Sequence, residues 1–141
     1  MTAWRETRAC KATETALPQL RRDIQAAVAA HGESQGMVDR IGLLVSELTH
    51  NAVEAAERES GVSVVAVRDA GGLRMSVECE GNRDLEGLQL AVDQSGVLPH
   101  PDSERGRGLW LILAFTDDLQ LTRTELGHLV VTVKIKEDEA P

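Results

Sequence analysis

Glu47 and Asn51 stand four positions apart, so on a helix they share one face. A carboxylate placed there can orient or deprotonate a hydroxyl or a water. The carbonyl oxygen of an Asn is a hard ligand suited to Mg²⁺. The same spacing also arises where two polar residues rim a surface helix, and spacing alone does not separate the two readings. Glu47-x-x-His50 is in addition half of a carboxylate di-metal motif, but such a site needs a paired copy and further carboxylates on facing helices. The second candidate is Glu104-Arg-Gly-Arg-Gly108-Leu109. Glycines 106 and 108, just ahead of a helix, let backbone N–H groups converge on an anion, and the helix dipole favours the negative charge. Arg105 and Arg107 bring positive charge to the same place. The run lacks the Lys-Ser/Thr pair of a Walker A loop and the strand-first setting of a dinucleotide fingerprint. A plain helix-entry turn remains open for it.

The elements that would position these residues follow from periodicity. Met37, Ile41, Leu44, Val45, Leu48, Ala52 and Ala55 fall on one stripe of a helix over about 35–56. An earlier helix is expected from Pro18, carrying Leu20, Ile24, Ala27, Val28 and His31 and stopping at Gly32. Residues 8–13 read as a short edge strand. Residues 61–67 and 73–79 read as strands joined by the Asp69-Ala-Gly-Gly72 turn. Leu73, Met75, Val77 and Cys79 alternate with Arg74, Ser76 and Glu78, so one sheet face is buried and the other wetter. Regular patterning fades over 80–105, where a short helix at 85–92 is expected and glycines and prolines interrupt the chain. Such a long irregular segment inside a compact domain is usually functional or mobile. A short apolar helix at 108–116 and a hairpin of strands 119–124 and 128–136 complete the order β-α-α-β-β-loop-α-β-β. Hairpin-linked strands with helices on one face make a two-layer α+β sandwich with a mixed, mostly antiparallel sheet.

Composition bounds the partners. At 141 residues the chain suits one domain, expected over 8–136 between a flexible N-terminus (1–7) and an acidic tail (137–141). Aromatics make up 2%, so the core is aliphatic and stacking platforms for single-stranded nucleic acid are disfavoured. A net charge of −8 argues against DNA or an anionic membrane as partner. No stretch has the length of a membrane span, and the N-terminus lacks the apolar core of a signal peptide. Cys10 and Cys79, far apart, form neither a disulfide framework nor a metal spacing. A cytoplasmic location is expected.

The two candidates together, in this order and separated by a strand pair and a glycine-containing loop, are far more specific than either alone. The chain resembles the GHKL or histidine-kinase-like ATPases of the Bergerat fold, and most closely the small bacterial anti-sigma-factor serine/threonine kinases. Leu43-Leu-Val-Ser-Glu-Leu-Thr-His-Asn-Ala-Val53 resembles the family's N-box, and Gly106-Arg-Gly-Leu-Trp-Leu-Ile112 its second glycine box. Ala114-Phe-Thr-Asp-Asp118 and the final hairpin fit as well, so that the resemblance spans about 8–136. It implies that Asn51 holds Mg²⁺ bridging the phosphates of ATP and that Glu47 acts as base or orienting group. It further implies that Arg105, Gly106, Arg107, Gly108 and Leu109 cradle phosphate, and that 82–105 closes over ATP as a lid. The implied partners are a sigma factor and an antagonist protein phosphorylated on serine, with Arg21 and Arg22 near the sigma contact and a homodimer expected. Positioning and charge neutralisation would carry the transfer.

One departure bears on the base. The family's first glycine box places an Asp, which accepts a hydrogen bond from the adenine amino group, where this chain has Cys79 in Val77-Glu-Cys-Glu-Gly81. A thiol is a poor acceptor, and a one-residue bulge could bring Glu80 into the pocket instead. The position four after the Asn, often His in the family, is Ala55; His50 reads as a solvated surface side chain. Two rival readings follow: a pseudo-kinase acting only as a protein-interaction module, and a detached sensor-kinase ATP domain, which the small size and the missing phosphoacceptor segment fit least.

Overall fold

A computed structural model describes residues 2–55, 60–80 and 111–137, the side chains of 51–55 excepted. Strand β1 (Trp4–Lys11) leads to helix α1 (Leu17–Ala30) and helix α2 (Gln35–Ala55). The hairpin β2 (Gly61–Asp69) and β3 (Gly72–Cys79) follows. Residues 111–114 are helical, and the chain ends in the hairpin β4 (Thr116–Arg123) and β5 (Leu129–Ile135). The sheet order is β1-β2-β3-β5-β4. All four pairings are antiparallel, which sharpens the expectation of a mixed sheet. The architecture is an α+β open sheet with helices.

Both ends of α1 and the start of α2 are set by identifiable chemistry. Thr13 Oγ1 accepts from the Ala16 amide ahead of α1, Pro18 sits in its first turn, and Gly32 ends it with φ +91°, a conformation that costs glycine least. Ser34 Oγ then accepts from the Met37 amide, an N-cap for α2. Leu20, Ile24 and Val28 of α1 and Met37, Ile41, Leu44, Val45 and Leu48 of α2 are buried in one cluster. They meet Val62, Val64 and Ala66 of β2, Leu73, Met75 and Val77 of β3, and Val131, Val133 and Ile135 of β5. Ile41, Leu44 and Val45 are fully buried, so the middle of α2 is anchored over the sheet. On the opposite face Ser76 Oγ and Thr132 Oγ1 lie 3.1 Å apart and partly exposed.

Two boundaries differ from the expected ones. Strand β1 starts at Trp4 and not near Arg8, so four of its residues lie in the stretch read as a flexible N-terminus. Trp4 explains this: it is buried, stacks on His31 with ring centroids 4.8 Å apart, and donates from Nε1 to Glu33 Oε2 at 3.3 Å. Thr116, expected to close a helix, opens β4 instead. Its hydroxyl donates to the Ile112 carbonyl at 2.7 Å while its backbone pairs with Ile135, and a register shift follows before Asp118.

Candidate functional site

Helix α2 brings Glu47 to the place its spacing implied. Leu44, Val45 and Leu48 are buried, whereas Glu47 is half-buried at the rim of the same stripe. Its carboxylate has no hydrogen-bond or ion-pair partner among the described residues. A carboxylate in that position keeps its acceptor capacity for a hydroxyl, a water or a hydrated cation. Asn51 lies one turn further along α2; its side chain falls outside the described residues. So do Gly81, the 82–105 lid with its short helix, and Arg105, Gly106, Arg107, Gly108 and Leu109. The helical residues that follow them are described: Ile112 is fully buried in the core, and the Phe115 amide donates to the Leu111 carbonyl at 3.1 Å.

The base-facing position is built differently from the bulge alternative. The β2–β3 pairing runs without a register break, with Val62 opposite Cys79. Across the other edge Cys79 pairs with Leu129. Its side chain therefore points into the core and is only 6% exposed. Burial, and next the Glu78 carboxylate, push its thiol up to about 11, so the sulfur is a neutral thiol at physiological pH. Glu80 turns away: its carboxylate accepts from the Gly61 amide at 2.9 Å while its own amide donates to the Gly61 carbonyl. Gly61 permits this approach, since a Cβ there would stand 2.9 Å from Glu80 Oε1. Among the described residues no carboxylate thus replaces the Asp that the resemblance calls for.

Arg21 and Arg22 of α1 separate. Arg22 is exposed and, among the described residues, bonds only Gln19 within its own helix, at 3.0 Å. Arg21 is half-buried and donates to Ser46 Oγ of α2 at 3.3 Å. It lines two adjoining depressions between α1 and α2. One, of about 240 Å³, is completed by Glu14, Leu17, Pro18, Ser46, Thr49 and His50. The other, of about 430 Å³, is completed by Gln25, Asp39, Gly42, Leu43 and Ser46. His50 is exposed at the groove, as its place off the apolar stripe implied.

A polar cluster that sequence reading did not bring together lies at the other end of the sheet. Glu33 accepts two hydrogen bonds from Arg68, both at 2.7 Å, and its side chain is 1% exposed. Arg68 also pairs with Glu137. The Arg68 guanidinium holds the Glu33 carboxyl below the usual carboxylate range. Arg40 of α2 stands over the Phe115 ring and donates to the Lys136 carbonyl. No local signal links these residues, because their partners are 29 to 96 positions away.

Among the described residues no helix is long and apolar enough to cross a membrane. A family described as the histidine kinase-like ATPase domain matches residues 10–134. No curated protein matches the chain.

Proposed function

The chain belongs to the histidine kinase-like ATPase domain family, and from that premise we propose that it is an anti-sigma-factor-type regulator that binds Mg²⁺·ATP. On this reading it phosphorylates a serine on an antagonist protein and so controls transcription by partner switching. The observation that carries the nucleotide reading is the half-buried, unpartnered Glu47 carboxylate on a helix anchored in the core. Asn51 would hold the metal through its amide oxygen, and the metal would neutralise phosphate charge. Arg105, Gly106, Arg107 and Gly108 would supply backbone and side-chain donors to the phosphates. Glu47 would orient the serine hydroxyl and accept its proton as the oxygen bonds the γ-phosphorus and ADP departs. The groove beside Arg21 and Ser46 is the surface for the sigma factor or the antagonist. Its mixed lining of Leu17, Pro18, Arg21 and His50 suits a partner that brings both an apolar and an acidic side chain.

Cys79 favours a second reading, in which the fold has lost adenine recognition and acts only as an interaction module. Calorimetric titration with ATP and Mg²⁺ divides the two. Binding at or below millimolar ATP is expected for a nucleotide site, and its absence there sinks the kinase reading while leaving the interaction module. Asn51→Ala should remove the Mg²⁺ dependence of binding, and an unchanged dependence refutes the ligand assignment. Cys79→Asp should tighten ATP, because a site built to bond the amino group discriminates strongly for it.

A further inference from the structure

We propose that the outer face of the sheet, the side away from α1 and α2, is where a second copy of this chain docks. Such docking is independent of the nucleotide reading above. The pairing register lines the outward side chains up in rows across the strands. Thr7, Val65, Ser76 and Thr132 make one row, and Ala9, Ser63, Glu78 and Val130 the next. Apart from Glu78 these side chains are short and uncharged, so the middle of the face is flat. Val65 and Val130 are half-buried there. Ser76 and Thr132 pair hydroxyl to hydroxyl at 3.1 Å, so covering them costs less than covering two free hydroxyls. The other charges stand at the two ends of the face, the order of an interface with an uncharged centre and a polar rim.

The two ends differ in sign. Arg5, Arg74 and Lys134 share the row beyond Thr7, Ser76 and Thr132. Arg74 reaches Asp69 at 3.6 Å, while Arg5 and Lys134 have no ion-pair partner among the described residues. Glu78 and Glu80 lie toward the other end, the first beside His128 at 3.2 Å. Strand β3 is the middle one of the five, so a two-fold axis in the plane of contact lays β3 of one copy over β3 of the other. With the strands parallel, Arg74 meets Arg74 and Glu78 meets Glu78. With the strands antiparallel and centred on Val77, Arg74 meets Glu80 of the partner subunit. Facing opposite charges select the antiparallel stack. Arg5 then meets Lys11 of the partner subunit, but on the edge strand β1, where both are exposed and water screens them. Five strands about 4.8 Å apart and four rows about 6.8 Å apart make a face of roughly 24 by 27 Å. Two stacked faces cover on the order of 1,300 Å², above the about 1,000 Å² that a specific interface needs.

The test is sedimentation equilibrium of the full chain over about 1–200 µM, within which wild type should dimerise. Val65→Arg, which buries an unpaired cation in the middle of each face, should weaken the dimer about a hundredfold. Arg74→Glu and Glu80→Lys should each weaken it about tenfold, and the double variant should return to within about threefold of wild type. Within one copy the two residues are six positions apart on an extended chain, about 20 Å, so recovery reports contact between copies. Thermal melts check that each variant is folded, and Thr132→Arg takes the place of Val65→Arg if that variant is not. A wild-type chain that stays monomeric over the whole range overturns the inference and leaves the face to a different protein. A dimer that Val65→Arg leaves intact overturns it as well, since the interface then lies elsewhere. Weakening by both single reversals without recovery in the double variant overturns the antiparallel stack.

Discussion

Two glutamates frame α2 and live under opposite conditions. Glu33, just before the helix, has a side chain 1% exposed and takes hydrogen bonds from Arg68 and Trp4. Glu47, within the helix, is half-buried and has no partner among the described residues. A buried carboxylate is tolerable only when its lone pairs are satisfied and its charge is matched, and Glu33 meets both conditions. Its neighbours Trp4, His31 and Arg68 tie β1, the α1–α2 connection and β2 together. Glu47 gives up that kind of stabilisation and keeps its acceptors open. One carboxylate is committed to holding the fold, and the other is left available to a ligand.

The sharpest way to break this contrast is to remove a partner from the committed side. Arg68→Ala leaves Glu33 buried without its counter-charge, with only the Trp4 hydrogen bond left, and should cost about 3–5 kcal/mol in urea unfolding; a loss within about 0.5 kcal/mol would mean that Glu33 is no structural charge. Glu47→Gln should do the reverse. Its unfolding free energy should stay within about 0.5 kcal/mol of wild type, while on the proposed kinase reading phosphoryl transfer to a serine acceptor should fall about 10²–10⁴-fold. Transfer at the wild-type rate would remove Glu47 from the chemistry.

Acid tests the committed carboxylate in another way. The Glu33 carboxyl is held low, chiefly by its hydrogen bond from Arg68, so its contribution is present above the ordinary carboxylate range and is lost as pH falls through its lower folded value. Stability measured from pH 6 to 2 should therefore decline in wild type and decline less steeply in Glu33→Gln. Parallel curves for the two would place the acid sensitivity elsewhere. On the alkaline side both thiols are raised by burial, Cys10 and, further, Cys79. The Cys79 thiol is raised to about 11 by burial and then by Glu78; the native state thus holds this proton more tightly than the unfolded chain, and stability is lost as pH rises from the ordinary thiol range toward that value. Cys79→Ala should flatten that decline in part, the smallest of these effects, read by thermal melts between pH 8 and 11.

The places of Glu47 and Cys79 in the fold were legible from local pattern, whereas the Asn51 side chain, Gly81 and 105–109 lie outside the described residues. The stripe Met37, Ile41, Leu44, Val45 and Leu48 is buried as its spacing implied, and that placement puts Glu47 at the rim. The alternation of β3 set Cys79 on the inner face, and the observed pairing keeps it there. The bulge that would have turned Glu80 inward does not occur, because Glu80 closes the hairpin edge on the Gly61 amide. Arg21 and Arg22 are adjacent and alike in sequence, yet only Arg21 reaches across to α2.

By itself the sequence determined the faces: which side of α1, α2 and the β2–β3 hairpin is apolar, and where Gly32 ends the first helix. Side-chain period and capping chemistry are local, and a single chain segment carries them in full. Only the tertiary structure decided the partners. Trp4 with Glu33, Arg68 with Glu137, and Arg40 with Phe115 and Lys136 meet because the sheet order places β5 between β3 and β4 and lays α2 over them. Periodicity states that a residue faces inward or stands at a rim. Which distant residue it meets there depends on how the whole chain closes.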